Sequence, residues 1–212
     1  MIMVMFGPPG IGKGTASEIL SRKLKIPKIS TGDILREEMQ NGTDLGKKVR
    51  EIVNAGNLAP DNLIIEIFEQ RVKKSDSKNG YITDGFPRTV EQAKALDKIA
   101  KIDYVFNLQA SHDSLMKRIT GRRYCPNCGA QYNINIDAFK PKKKDTCDKC
   151  ATKLSARADQ NPEIVEQRLK VYDKETKPVI DYYKKQRKLN NINAEGLPEE
   201  IVDSILSVIG GR

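Results

Sequence analysis

The order of apolar patterns along the chain predicts an α/β fold: a parallel sheet with helices on both faces, interrupted by two insertions. Three observations support this. Short strand-like runs alternate with helical periodicities. The first run, Met1-Ile-Met-Val-Met-Phe6, passes directly into Gly7-Pro-Pro-Gly-Ile-Gly-Lys-Gly-Thr15, a glycine-rich turn ahead of a helix. Residues 122–158 lack sustained periodicity and hold all four cysteines, so they read as an insertion and not as part of the sheet.

Each element has a local cause. Ala16, Ile19, Leu20 and Leu24 recur at helical spacing after the glycine-rich turn. Ile26-Pro27-Lys28-Ile29 reads as a second short strand or the approach to one. Ser30-Thr-Gly-Asp33 then has the S-x-x-D form of a helix start. Residues 31 to about 73 read as several helices, broken near Asn41-Gly42 and Asn54-Ala-Gly56, with Pro60-Asp61 opening the last (Leu63, Ile64, Ile67, Phe68, Val72). Asn79-Gly80 marks a turn before the strand Tyr81-Ile-Thr-Asp84. A helix over 89–101, a strand over 103–108 and a helix over 111–121 follow. Beyond the cysteine-bearing insertion, Asn161-Pro162-Glu163 opens a long amphipathic helix with Val165, Leu169 and Tyr172 on one stripe. Leu189 to Ile192 is a last strand and 198–209 a closing helix.

At 212 residues, 38% hydrophobic and 31% charged, the chain suits one α/β domain with insertions and can bury a core. The six-residue apolar start is too short for a signal-peptide core or a membrane span, so a cytoplasmic protein is expected. In that reducing compartment four cysteines point to metal binding over disulfides. The net charge of +9 points to an anionic partner, and nucleotides satisfy that as well as nucleic acid or a membrane surface does.

Gly7 to Thr15 is a slightly extended form of the phosphate-binding loop (P-loop) G-x-x-x-x-G-K-[ST], and it predicts a nucleoside triphosphate. Glycines let backbone N–H groups fold around a phosphate, and the helix behind aims its positive end at the same anion. Lys13 is spaced to reach the β- and γ-phosphates. Asp84 ends a strand, where a carboxylate can hold Mg²⁺ directly or through water. One triphosphate needs one cradle and one metal, yet the chain adds Arg36, Arg88, Arg122, Arg123, Arg157 and Arg168. Most arginines are solvated surface residues. Here several sit beside glycine turns or at junctions, and a guanidinium binds phosphate bidentately. Together with Gly85-Phe-Pro-Arg88, Gln92 and Ser30-Thr-Gly-Asp33, they point to a second ligand.

Cys125-Pro-Asn-Cys128 and Cys147-Asp-Lys-Cys150, 18 residues apart, have ribbon spacing. Each pair can give two thiolates to one tetrahedral zinc, and a closed four-thiolate shell is structural. The −2 charge of such a centre would be offset by Lys140, Lys142, Lys143, Lys144 and Lys149. The sole histidine, His112, reads as an ordinary helix-start residue.

In order and spacing, these stretches resemble one family across nearly the whole chain: adenylate kinases of the long-lid, zinc-containing type. The resemblance rests on Gly7 to Thr15, Ser30 to Asp33 with Arg36, Asp84 to Arg88 with Gln92, Gly121-Arg-Arg123, the cysteine ribbon, and Arg157-Ala-Asp159 with Arg168. It implies a core (1–29, 60–120 and 159–212), a mobile helical domain for the nucleoside monophosphate (NMP; 30–59) and a mobile zinc-ribbon lid (121–158). By resemblance, Gly10, Ile11, Gly12, Lys13, Gly14 and Thr15 bind ATP phosphates. Arg122, Gln131 and Tyr132 meet ATP from the lid, and the Gly196 backbone approaches the adenine. Thr31, Arg36, Asn57, Leu58, Ala59, Gly85, Phe86, Pro87, Arg88 and Gln92 match the AMP site. Arg157 and Arg168 match the arginines that clasp the phosphates between the nucleotides. Such lids commonly end Arg-x-Asp-Asp. Gln160 replaces the second acid here, which leaves Asp159 to serve lid closure alone.

The implied reaction is ATP + AMP ⇌ 2 ADP with Mg²⁺, in a monomer that serves nucleotide homeostasis and binds neither nucleic acid nor membrane. The acceptor is a phosphate whose second pKa is about 6, so no general base is needed. Lys13, Arg88, Arg122, Arg157 and Arg168, with Asp84 and Asp159, are expected to carry catalysis. Two alternatives stay open at this level. One is a kinase for UMP or CMP, or one with GTP as donor. The other is an ATP-switched zinc-ribbon protein that binds nucleic acid, although the ribbon lacks aromatic interleaving for base stacking.

Overall fold

The computed structural model describes residues 1–156 and 161–211. Their strands are β1 (Ile2–Phe6), β2 (Lys28–Ser30), β3 (Tyr81–Asp84), β4 (Tyr104–Gln109), β5 (Arg122–Tyr124), β6 (Gln131–Asn133) and β7 (Leu189–Asn193). The helices are α1 (Lys13–Leu24), α2 (Thr31–Asn41), α3 (Asp44–Asn54), α4 (Asp61–Val72), α5 (Val90–Ile99), α6 (His112–Gly121), α7 (Pro162–Val171), α8 (Lys177–Lys185) and α9 (Pro198–Gly210). Among the described residues, five strands form one parallel sheet in the order β2-β3-β1-β4-β7. The expected parallel sheet is therefore present.

Alternate residues of a strand point to opposite faces, and both faces here are apolar. Val4 and Phe6 of β1 enter a core with Leu35, Phe68, Leu96 and Tyr183, from α2, α4, α5 and α8. Met3 and Met5 enter the other core with Leu20, Leu115 and Ile205, from α1, α6 and α9. In register, Met5 lies opposite Asp84 on one side and Phe106 on the other. The carboxyl ends of β1 and β3 are thus level, which sets the glycine-rich loop beside Asp84.

The short insertion after β2 is a helical pair. The Ser30 hydroxyl caps α2 by accepting the Asp33 N–H at 3.2 Å, as the S-x-x-D pattern predicts. Thr43 caps α3 in the same way, accepting from Gly46 N–H at 3.0 Å. The cysteine-bearing insertion holds more regular structure than its sequence suggests. β5 and β6 form an antiparallel hairpin, extended by bridges between Tyr124 and Ser155 and between Thr146 and Lys153. Three-residue strands are too short to leave a periodicity.

The expected long helix is also more elaborate. α7 runs into a π-helical turn (Tyr172–Thr176), where the Lys177 N–H donates to the Tyr172 carbonyl, and then into α8. Pro178 lies in the first turn of α8 and has no N–H to give, so the helix is reset there. Among the described residues, no helix is long and apolar enough to cross a membrane.

Candidate functional site

β1 delivers the chain to Gly7, and α1 starts at Lys13. Between them Gly10 has φ 82°, and a Cβ there would lie 2.2 Å from Ile119 Cγ1 of α6. Only glycine passes beneath α6 in this conformation. The Lys13 ammonium curls back onto its own loop, donating to the carbonyls of Gly7 at 2.6 Å and Pro8 at 3.0 Å. Burial lowers its pKa to about 8, against the attraction of Asp84, and Arg88, Arg168 and Arg122 push it the same way. Asp84 Oδ2 lies 3.2 Å from where a Cβ on Gly14 would stand, so the carboxylate faces the first turn of α1. Magnesium takes few protein oxygens beside substrate phosphates. Asp84, with the Thr15 hydroxyl on the same turn, is a donor set that fits it.

A cleft opens beside this loop. Of the residues matched to AMP, Thr31, Arg36, Asn57, Leu58, Ala59, Gly85, Arg88 and Gln92 line it, together with Arg168. Gly85 has φ 78°, and a Cβ there would sit 2.7 Å from Arg88 Nη2. Its carbonyl accepts from the Thr31 hydroxyl at 2.9 Å and from Arg88 Nε at 2.8 Å. Burial holds the Arg88 pKa down to about 10; Arg168 and Arg36 add to this, and Asp84 opposes it. Arg36 and Arg88 meet over Gly32, 3.3 and 3.6 Å from its would-be Cβ. Arg36 is paired with Asp33. Burial would raise the Asp33 pKa, but Arg36, then Lys28 and Ser30, pull it to about 2. Converging cations of this kind repel one another until an anion enters.

Other expected residues sit differently. The Phe86 ring belongs to the core, stacked on Phe68 at 4.1 Å, so its backbone is what it can offer the cleft. Pro87 does not line the cleft. Asn57 accepts from Gln167 Nε2 of α7 at 2.9 Å. Arg122 and Tyr132 lie on the hairpin, and Gln131 donates to the Gly129 carbonyl at 3.0 Å. The Tyr132 hydroxyl lies 3.4 Å from Cys147 Sγ and accepts the Asp148 N–H at 2.8 Å. Arg157, Asp159 and Gln160 lie outside the described residues.

Sequence reading missed Arg118. It donates from Nη1 to the Ile11 carbonyl at 2.7 Å and from Nη2 to the carbonyls of Glu195 and Gly196 at 3.0 Å each. It thereby ties the P-loop to the Gly196 turn. No local pattern marks a residue whose partners are 77 to 107 positions away.

The four cysteine Sγ atoms lie within 4.8 Å of one another. Cys125 and Cys150 are 3.4 Å apart, and Cys128 and Cys147 3.5 Å. These spacings are too long for disulfide bonds. A tetrahedral zinc with bonds of about 2.3 Å sets sulfurs about 3.8 Å apart, so the cluster fits that ion. Gly129 (φ 72°) and Ala151 (φ 57°) follow the second cysteine of each pair in matching left-handed turns.

The family model described as adenylate kinase matches residues 5–188. The chain is 45% identical to an adenylate kinase of Caldicellulosiruptor bescii, over 99% of this chain and 97% of the relative. It is 42% identical to one of Methanocella arvoryzae and 44% to one of Methanothrix thermoacetophila, each over 99% of this chain and 98% of the relative.

Proposed function

Because the chain belongs to the adenylate kinase family, we propose that it transfers the terminal phosphoryl group of Mg-ATP to AMP, reversibly, giving two ADP. By family it is a nucleoside monophosphate kinase. The observation that carries the acceptor reading is the meeting of two anion sites. Arg36, Arg88 and Arg168 line the acceptor cleft, and its Gly85 follows directly on Asp84, whose carboxylate faces the first turn of α1.

In this reading Gly10, Ile11, Gly12, Gly14 and Thr15 offer backbone N–H groups to the donor phosphates, and Lys13 turns from its loop carbonyls to the anion. Arg122, Gln131 and Tyr132 belong to a lid (121–158), and Gly196 borders the donor base. Thr31, Arg36, Asn57, Leu58, Ala59, Gly85 to Arg88 and Gln92 hold the acceptor against an NMP-binding domain (30–59). The rest of the chain is the core. Arg168 and Arg157 clasp the phosphates between the nucleotides, and Asp159 serves the lid hinge. Magnesium bound with the donor neutralises charge on the transferring group, and Asp84 and Thr15 are the residues that would hold it.

The acceptor oxygen is largely ionised at neutral pH. What this chain supplies is alignment and positive charge at the moving phosphoryl group. Water competes as an acceptor, so lid closure over the cleft protects the reaction. The four cysteines would hold a structural zinc that keeps the lid a rigid flap, and a closed thiolate shell leaves no position open to substrate. We read the enzyme as a cytoplasmic monomer of nucleotide biosynthesis, with ATP, AMP and ADP as its partners and neither nucleic acid nor membrane.

The decisive test is phosphotransfer from ATP to AMP, UMP, CMP and GMP, with zinc counted on the same sample. AMP should be the preferred acceptor, and no ADP from ATP and AMP would overturn the reading. Cys128→Ser should release zinc at lower chelator concentration and lower the thermal midpoint by on the order of 10 °C. Turnover of the folded, zinc-loaded variant should stay close to the parent. Loss of turnover in such a sample would contradict a structural role.

A further inference from the structure

The Gln92 side chain is 1% exposed and lines the acceptor cleft. Its amide is held at both ends. The Arg88 backbone N–H donates to Gln92 Oε1 at 2.8 Å, and Gln92 Nε2 donates to Asp61 Oδ1 at 2.7 Å. A backbone N–H can only donate and a carboxylate can only accept, so the two anchors permit one orientation of the amide and forbid its flip. Asp61 is itself fixed. It occupies the first turn of α4, and its Oδ2 accepts the Thr89 hydroxyl at 2.8 Å. The Thr89 hydroxyl in turn caps α5 by accepting the Gln92 N–H at 3.2 Å.

Each anchor uses half of one amide group. Gln92 keeps one N–H and one oxygen lone pair for a ligand. A freely flipping amide presents these in either order. Adenine offers a ring acceptor beside an exocyclic amine, and guanine offers the reverse, a ring N–H beside a carbonyl oxygen. An amide that can turn over reads both bases; one that cannot reads one of them.

We propose that Asp61 is a specificity-determining positioning residue: by locking the Gln92 amide, it restricts the acceptor site to a purine with adenine's donor–acceptor order. The lock follows from the hydrogen bonds. The choice of adenine over guanine rests on the function proposed above.

Asp61→Asn removes one of the two anchors at almost constant shape, because an asparagine amide can meet Gln92 with either end; the Arg88 N–H alone then opposes the flip. The kcat/KM for AMP divided by that for GMP should fall by about tenfold or more, carried mainly by KM. Asp61→Ser, which also loses the carboxylate, should shift the ratio the same way. Both acceptors are measured on one sample, so an unfolded fraction cancels. Thr89→Ala breaks the other Asp61 bond and the α5 cap. It should lower the thermal midpoint while leaving the ratio within about twofold. The lock is overturned if both Asp61 variants keep the parent ratio, or if Thr89→Ala shifts it as far as they do. A parent protein that makes no ADP from ATP and AMP would instead overturn the proposed function.

Discussion

Lys13→Ala should lower kcat/KM by on the order of 10³-fold or more while leaving the fold intact. The loop around it is kept by features the substitution does not touch: the glycine passage under Ile119 and the Arg118 bond to the Ile11 carbonyl. The lysine is also poorly placed for stability. Its pKa is lowered from 10.5 to about 8, first by burial and then by neighbouring arginines, so the charged form is disfavoured in the folded protein. A base whose folded pKa is depressed costs stability at every pH below its unfolded value, and the cost is full below about 8. The alanine variant should therefore melt no lower than the parent at neutral pH while losing turnover, the signature of a group kept for function. The same shift fixes a pH dependence. Phosphate favours the ammonium form, so donor binding takes up protons above about pH 8, and donor affinity falls as pH rises through 8. Calorimetric titrations in two buffers of different ionisation heat measure that uptake. A Lys13→Ala enzyme within about tenfold of parent kcat/KM would remove Lys13 from the mechanism.

Much of this site is written locally. The P-loop is contiguous, Ser30 and Asp33 sit one helical turn apart, and Asp84 ends the strand run Tyr81-Ile-Thr. The cysteine pairs declare their geometry by spacing. In each case the physical cause acts within a few residues, so it leaves a pattern. What the sequence hides is set by contacts between distant segments. Arg118 looks like any exposed helix arginine until its carbonyl partners are placed, and Asp61 looks like an ordinary acid in a helix first turn until Gln92 lies 2.7 Å away. The π-helical turn at Tyr172–Thr176 follows from Pro178, a visible cause with two possible outcomes, a break or a continuous bulged helix. Burial of Val179 and Tyr183 in the sheet's core favours the continuous one. Lys13's grip on Gly7 and Pro8 is equally illegible, because the motif encodes where the ammonium goes when phosphate is present.

Arg88→Ala should cost on the order of 10²- to 10⁴-fold in kcat/KM, through both kcat and the KM for AMP. The backbone at this position is held independently of its side chain. The N–H donates to Gln92 at 2.8 Å, and the carbonyl accepts the Thr176 hydroxyl at 3.0 Å. Truncation therefore removes the guanidinium and little else. Inside the protein, burial first and then the proximity of Arg168 and Arg36 depress its pKa to about 10, with Asp84 opposing. An anion bridging the three converts repulsion into attraction. The energy of the arrangement appears only when phosphate is present, and most fully when charge spreads over the transferring group. Arg88→Lys should recover only a small part of the loss. A single ammonium cannot keep the Gly85 carbonyl and still present a planar fork to phosphate oxygens. Steady-state kinetics with both nucleotides varied, alongside thermal midpoints, separates the outcomes. The alanine variant should melt at or above the parent, since a like-charge contact is relieved. An Arg88→Lys enzyme that matches the parent would show that charge alone suffices and that the planar fork of the guanidinium is incidental.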